Sequence, residues 1–155
     1  MIDVKIINSV LSSLTDTFKS AAQTDINLQS PKLVKTIEKT YEIVTTIGFN
    51  GVLEGNVIYT LTSETSLEIV NSMMGGMMKL TEVDDMAISA IGELGNMISG
   101  AIAVSLEKVG YSIDITPPSV VEGKEMRVSV EGNILKFAGT LLDGKEIEIF
   151  LVVKK

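Results

Sequence analysis

The sequence contains no cysteine and no histidine. That excludes disulfides, a thiol nucleophile, thiolate or imidazole metal ligands, and imidazole acid–base chemistry. A chain without cysteine fits a reducing, cytoplasmic setting. There is no tryptophan, and only three Tyr and four Phe accompany eight Met, so the core must be aliphatic and methionine-based. No apolar run approaches the roughly 18–20 residues of a membrane span, and no charged-then-apolar leader opens the chain, so no membrane partner is expected. Basic residues are outnumbered, 13 Lys and Arg against 20 Asp and Glu, for a net charge of −7. Nucleic acid and anionic membrane surfaces both call for a basic face. An acidic surface instead serves solubility and suits a basic patch on a protein partner.

What is present reads as one domain over residues 1–155, long enough for a real core. Val4, Ile7, Val10, Leu14 and Phe18 recur at helical spacing behind Asp3, which predicts a helix over 3–21. Residues 23–32 are polar, hold Pro31, and read as a connector. The pattern turns to β over 33–62, where Asn50-Gly51 reads as a two-residue hairpin turn and Gly55 as a bulge. Ser63 is expected to cap a short helix that Gly75-Gly76 ends; the adjoining Met73-Met74 and Met77-Met78 read as core filling around that end, with an adaptable methionine-rich binding surface as the alternative. Thr81 with Asp84 resembles a capping box before a second long helix, which runs to about Lys108 and stops at Gly110. Its apolar stripe is Val83, Ala87, Ile91, Leu94, Ile98, Ile102 and Leu106. Beyond it, Ile113 and Ile115 lead to Pro117-Pro118. Met126, Val128 and Val130 precede Gly132-Asn133, and two further strands flank Asp143-Gly144, which predicts a meander. The fold class is α+β, with helices packed on a largely antiparallel sheet.

One stretch is unusual. Opposite the apolar stripe stand Asp85, Ser89, Glu93, Asn96 and Gly100, and among them run Gly92, Gly95 and Gly100. A glycine within a helix is less favourable than alanine by roughly 0.8–1 kcal/mol. Three within nine residues therefore need a reason, and a bare backbone that admits another molecule is one. Glu93 and Asn96 are three apart, so they neighbour each other on the helix surface. A carboxamide is a poor base at neutral pH, but it can hold a water by donating and accepting. A carboxylate beside it can pair with a cation on a partner.

These residues carry a resemblance. An acid or Ser, then Glu four positions on, Asn three further, and Pro about twenty-two beyond that is the pattern of the CheC/CheX/FliY family of chemotaxis phosphatases; here it is Ser89, Glu93, Asn96 and Pro118. The segments Asp114-Ile115-Thr116-Pro117-Pro118-Ser119-Val120-Val121, Ser72-Met73-Met74-Gly75-Gly76-Met77 and Leu53-Glu54-Gly55-Asn56-Val57-Ile58-Tyr59 are similar too, so the likeness spans about residues 1–152. The resemblance implies a CheC-like fold and an auxiliary phosphatase acting on a phosphorylated CheY-like receiver domain. It implies that Asn96 orients the attacking water and Glu93 pairs with the receiver's lysine. Ser89, Gly92, Gly95 and Gly100 would line the partner surface. No cofactor or metal belongs to this chain; Mg²⁺ is expected on the receiver. Two-motif relatives carry a counterpart in the first helix, but here Asn8 is preceded three positions earlier by Lys5 rather than Glu. One site per chain places it with the CheX branch, whose members form homodimers through their sheets. A non-catalytic module that binds a receiver or a flagellar switch component is the alternative. A hydrolase using Asp85 and Glu93 as paired carboxylates ranks last.

Overall fold

The computed structural model describes residues 2–77, 79–142 and 144–154. Its elements are α1 (Val4–Ala22), β1 (Asn27–Leu28), β2 (Lys32–Val34), β3 (Ile43–Gly51), β4 (Gly55–Leu61), α2 (Ser63–Met73), α3 (Asp85–Lys108), β5 (Ile113–Ile115), β6 (Ser119–Glu122), β7 (Asn133–Leu141) and β8 (Lys145–Val153). The strands form one sheet in the order β1-β7-β8-β4-β3-β5, with β2 also against β7 and β6 also against β3. Every named pairing is antiparallel.

The helices cover one face of this sheet. Ile6, Val10, Leu14 and Phe18 of α1 and Leu94, Ile98, Ile102 and Leu106 of α3 share a core with Ile47, Val57, Tyr59, Phe137, Ile149 and Leu151. The stripe read from the sequence is thus the buried face of α3. Alternate residues of the same strands, Val44, Ile58, Ile134, Phe150 and Val152, form a second cluster on the opposite face, with Ile37 and, partly buried, Met126, Val128 and Val130. Among the described residues α3 is the one helix that by length and composition could cross a membrane. Its apolar face is spent on this core, while Asp85, Glu93 and Asn96 stand in the open.

Several local expectations are corrected. Two caps sit elsewhere than read, one residue earlier for α2 and three residues later for α3. Thr62, not Ser63, caps α2 by accepting from the Thr65 amide at 3.1 Å. Asp84 itself caps α3, accepting from the Ala87 amide at 2.9 Å, so Thr81 lies outside the helix and no capping box forms. Asn50-Gly51 is not a two-residue turn. Both residues extend β3 and pair with Asp114 and Ile113 of β5, and the chain reverses over 52–54. Gly55 is not a bulge: it pairs in register with Phe49 and Val153, and a side chain there would collide with the Val152 carbonyl. Residues 126–130 make no strand beyond one bridge from Val128 to Ile37. Their alternation reflects a segment lying with one side on the back of the sheet. The connector is less plain than expected, since it supplies β1 and β2. The β7–β8 hairpin is present, with Leu141 opposite Lys145; Asp143 of its turn lies outside the described residues, as does Met78. Met73 and Met74 are partly buried against the core, whereas Met77 is 90% exposed.

Candidate functional site

The site is built on α3 and held from two sides. At its entry, the Asn71 side chain of α2 clamps residue 80: it donates to the Leu80 carbonyl at 3.0 Å and accepts from the Leu80 amide at 2.8 Å. Ile43, Val70 and Ile91 pack together beneath that entry. The Asp84 cap and Asp85 in the first turn both favour the positive helix end. At the exit, Lys108 sits in the last turn, and the Tyr111 amide returns to the Leu106 carbonyl at 2.9 Å. A helix fixed at both ends and along its apolar face presents its remaining face rigidly.

On that face Asp85, Ser89, Glu93, Asn96 and Gly100 are all exposed. Glu93 and Asn96 make no side-chain hydrogen bond or ion pair among the described residues, so both are available to another molecule. Ser89 makes no hydrogen bond to Glu93. Asp85 and Glu93 are eight residues apart, roughly 12 Å along the axis, so no carboxylate pair converges for acid–base hydrolysis. Among the described residues no group of three or more acidic side chains is placed to hold a metal ion.

The glycines divide. A Cβ on Gly92 or Gly100 would meet nothing within 4 Å. Gly95 is different, and its assignment to the partner surface is corrected: it is buried, and a Cβ there would lie 2.9 Å from Pro118 Cβ, 3.2 Å from Pro118 Cγ and 3.4 Å from Thr45 Cγ2. Pro118, the last residue of the spaced motif, rests on the helix backbone beside Asn96. Three further exposed residues were missed: Met86 at 46%, Met97 at 42% and Val104 at 54%. They are eleven and seven residues apart, which returns to nearly one helical angle. That phase, lying off the core stripe, was the signal available in the sequence.

An exposed carboxamide next to an exposed carboxylate on a bare helix cannot enclose a small substrate. The model of the family described as chemotaxis phosphatase CheX matches residues 43–139. The CheY-P phosphatase CheX of Thermotoga maritima is 39% identical over 152 residues, covering 98% of this chain and 97% of that one. The chain belongs to the CheX chemotaxis phosphatase family. Among solved structures, a CheC-like superfamily protein from Shewanella sp. PV-4 superposes with a TM-score of 0.88 at 26% identity, covering 99% of this chain and 100% of that one. CheX in the CheX–CheY–BeF3–Mg complex from Borrelia burgdorferi superposes with a TM-score of 0.80 at 25% identity, covering all of both chains.

Proposed function

We propose that this chain is an auxiliary protein phosphatase that hydrolyses the aspartyl phosphate of a CheY-like response regulator, with Asn96 as the residue that orients the attacking water and Glu93 as the anchor to the receiver's lysine. The observation that carries this reading is the exposure of Asn96, without a partner of its own, on a helix fixed at both ends. The full-length similarity to a CheY-P phosphatase and to the CheX partner of a CheY complex supplies the substrate class.

The chemistry suits these residues. Water attacks phosphorus, the bond from phosphorus to the receiver's aspartyl oxygen breaks, and the products are a free carboxylate and inorganic phosphate. Phosphoryl transfer asks chiefly for positioning and for charge stabilisation. The receiver's lysine and a Mg²⁺ bound to the receiver supply the charge. This chain then needs to add only a group that holds water in line, and a carboxamide does so while remaining neutral. Glu93 contributes a charge-assisted contact at the rim of the interface.

The test is phosphate release from the cognate receiver charged with a small acyl phosphate. A sub-stoichiometric amount of this chain should clear the whole receiver pool, which a sequestering binder would not do. Asn96→Ala should lower kcat by about 10²-fold or more without lowering the melting temperature, because the side chain is exposed and alanine is the better helix former. Glu93→Ala should chiefly raise KM, about tenfold, with a weaker salt dependence. Undiminished turnover by Asn96→Ala would refute the assigned role.

The same reading includes a cytoplasmic homodimer. The sheet ends in short strands, β1 and β2 beside β7 and β5 and β6 beside β3, and Leu33 on β2 is 75% exposed. Such edges have backbone groups ready to pair with a second chain. Sedimentation at micromolar concentration should give twice the chain mass of 16.7 kDa; a monomer there would remove the dimer.

A further inference from the structure

The link between β5 and β6 makes two close approaches within three residues, and both need a glycine. At one end Thr116 is stapled to Gly48 of β3. The Thr116 amide donates to the Gly48 carbonyl at 2.9 Å, the Gly48 amide donates to Thr116 Oγ1 at 3.0 Å, and the Thr116 hydroxyl donates to the Gly48 carbonyl at 3.2 Å. A Cβ on Gly48 would lie 2.7 Å from that Oγ1. At the other end Pro118 lies on Gly95, where an added Cβ would come within 2.9 Å of the ring. Ser119 then pairs with Thr46 of β3, so the link is tied to the sheet on both sides of the proline. The ring cannot retreat without breaking these ties. The residue it touches is the one immediately before Asn96.

We infer that Pro118, seated on Gly95, is a positioning device for Asn96: the sheet, through the Thr116–Gly48 staple and the proline ring, sets the height and rotation of α3 where the carboxamide leaves it. This rests on the phosphatase reading above and assigns a role to a member of the spaced motif that the chemistry leaves idle. A proline suits it because the ring is rigid and its φ is fixed, so the contact does not relax by rotamer change. A glycine is required opposite because any side chain would push helix and ring apart. A shift of about 1 Å at a positioning group can cost about 10²-fold in rate.

The test separates kcat from KM for the charged receiver in Gly95→Ala and in Pro118→Ala, alongside the unsubstituted chain. Alanine at 95 adds one methyl group where the ring stands; alanine at 118 opens the ring, losing Cγ and Cδ while keeping Cβ and restoring an amide N–H, so it frees the contact from its rigid ring and covers the case in which the first variant fails to fold. The expected result is a kcat at least tenfold lower in both, with KM within about twofold because Glu93 is untouched. Combining Gly95→Ala with Pro118→Gly should lower kcat no further than the worse single substitution does, a coupling that independent effects, whose losses multiply, would not give. If the folded variants lose melting temperature but keep kcat, the contact is structural only and the inference falls while the phosphatase reading stands. If the unsubstituted chain itself releases no phosphate from its receiver, the phosphatase reading falls and takes this inference with it.

Discussion

At the scale of single residues, the glycines of α3 do different things that a common spacing conceals. Gly92 and Gly100 face open space, so their lack of a side chain answers no demand of this chain's own packing. Alanine at either should stabilise the fold by roughly 0.8–1 kcal/mol, seen as a higher denaturation midpoint at unchanged slope. If these glycines admit the receiver, the same substitutions should raise KM. A stabilised variant with unaltered KM would show that they do not face the partner. Gly95 cannot follow that rule, because its methyl group would meet Pro118 and Thr45. Glu93 and Asn96 were legible as a pair from their spacing and from the poor helix propensity of asparagine. The role of Gly95 was not legible, since it depends on a proline twenty-three positions away.

At the scale of elements, α1 and α3 were readable because one buried face leaves a stripe of period 3.6. Both helices end within a residue of where that stripe predicts. The strands were less so. β4 and the end of β8 carry apolar residues on both faces, since helices cover one side and residues 34–37 and 126–130 cover the other. The alternation of Ile147, Ile149, Leu151 and Val153 did mark one face of β8, the helix side, but alternation could not assign the faces of β4, and it presented 126–130 as a strand. β4 also directs Tyr59 under the helices, edge-on to Phe18 with ring centroids 5.8 Å apart. The Tyr59 hydroxyl lies near Thr45 without hydrogen-bond geometry, and neither hydroxyl has a partner among the described residues. Burial pushes the Tyr59 phenol well above its usual range, with Thr45 acting in the opposite sense. The unfolded chain loses this proton near pH 10, while the folded chain keeps it. The unfolded state then holds fewer protons, so the contribution of this group to stability is flat up to about pH 10 and falls as pH rises further. Tyr59→Phe should raise stability at pH 7 by about 1 kcal/mol and make the alkaline loss shallower by up to about 1.4 kcal/mol per pH unit. Urea titrations at pH 7 and pH 11 check both. Tyr41, raised by burial and by its hydrogen bond to Glu146, keeps part of the alkaline loss in place.

At the scale of the whole molecule, the eight strands form a single antiparallel sheet, and the helical layer on it carries the candidate site outward rather than in a cleft. The sequence contains no histidine and no cysteine, and the proposed reaction asks neither of this chain. The sequence by itself determined the helices, the α+β class, the exposed Glu93–Asn96 pair and the family, since each follows from local periodicity, composition or short spaced motifs. Only the tertiary structure decided which side of the sheet each strand buries, that Asn50-Gly51 extends β3 instead of turning, and that Pro118 bears on Gly95. Those outcomes depend on contacts between segments far apart in the chain, and no window along the sequence contains both partners.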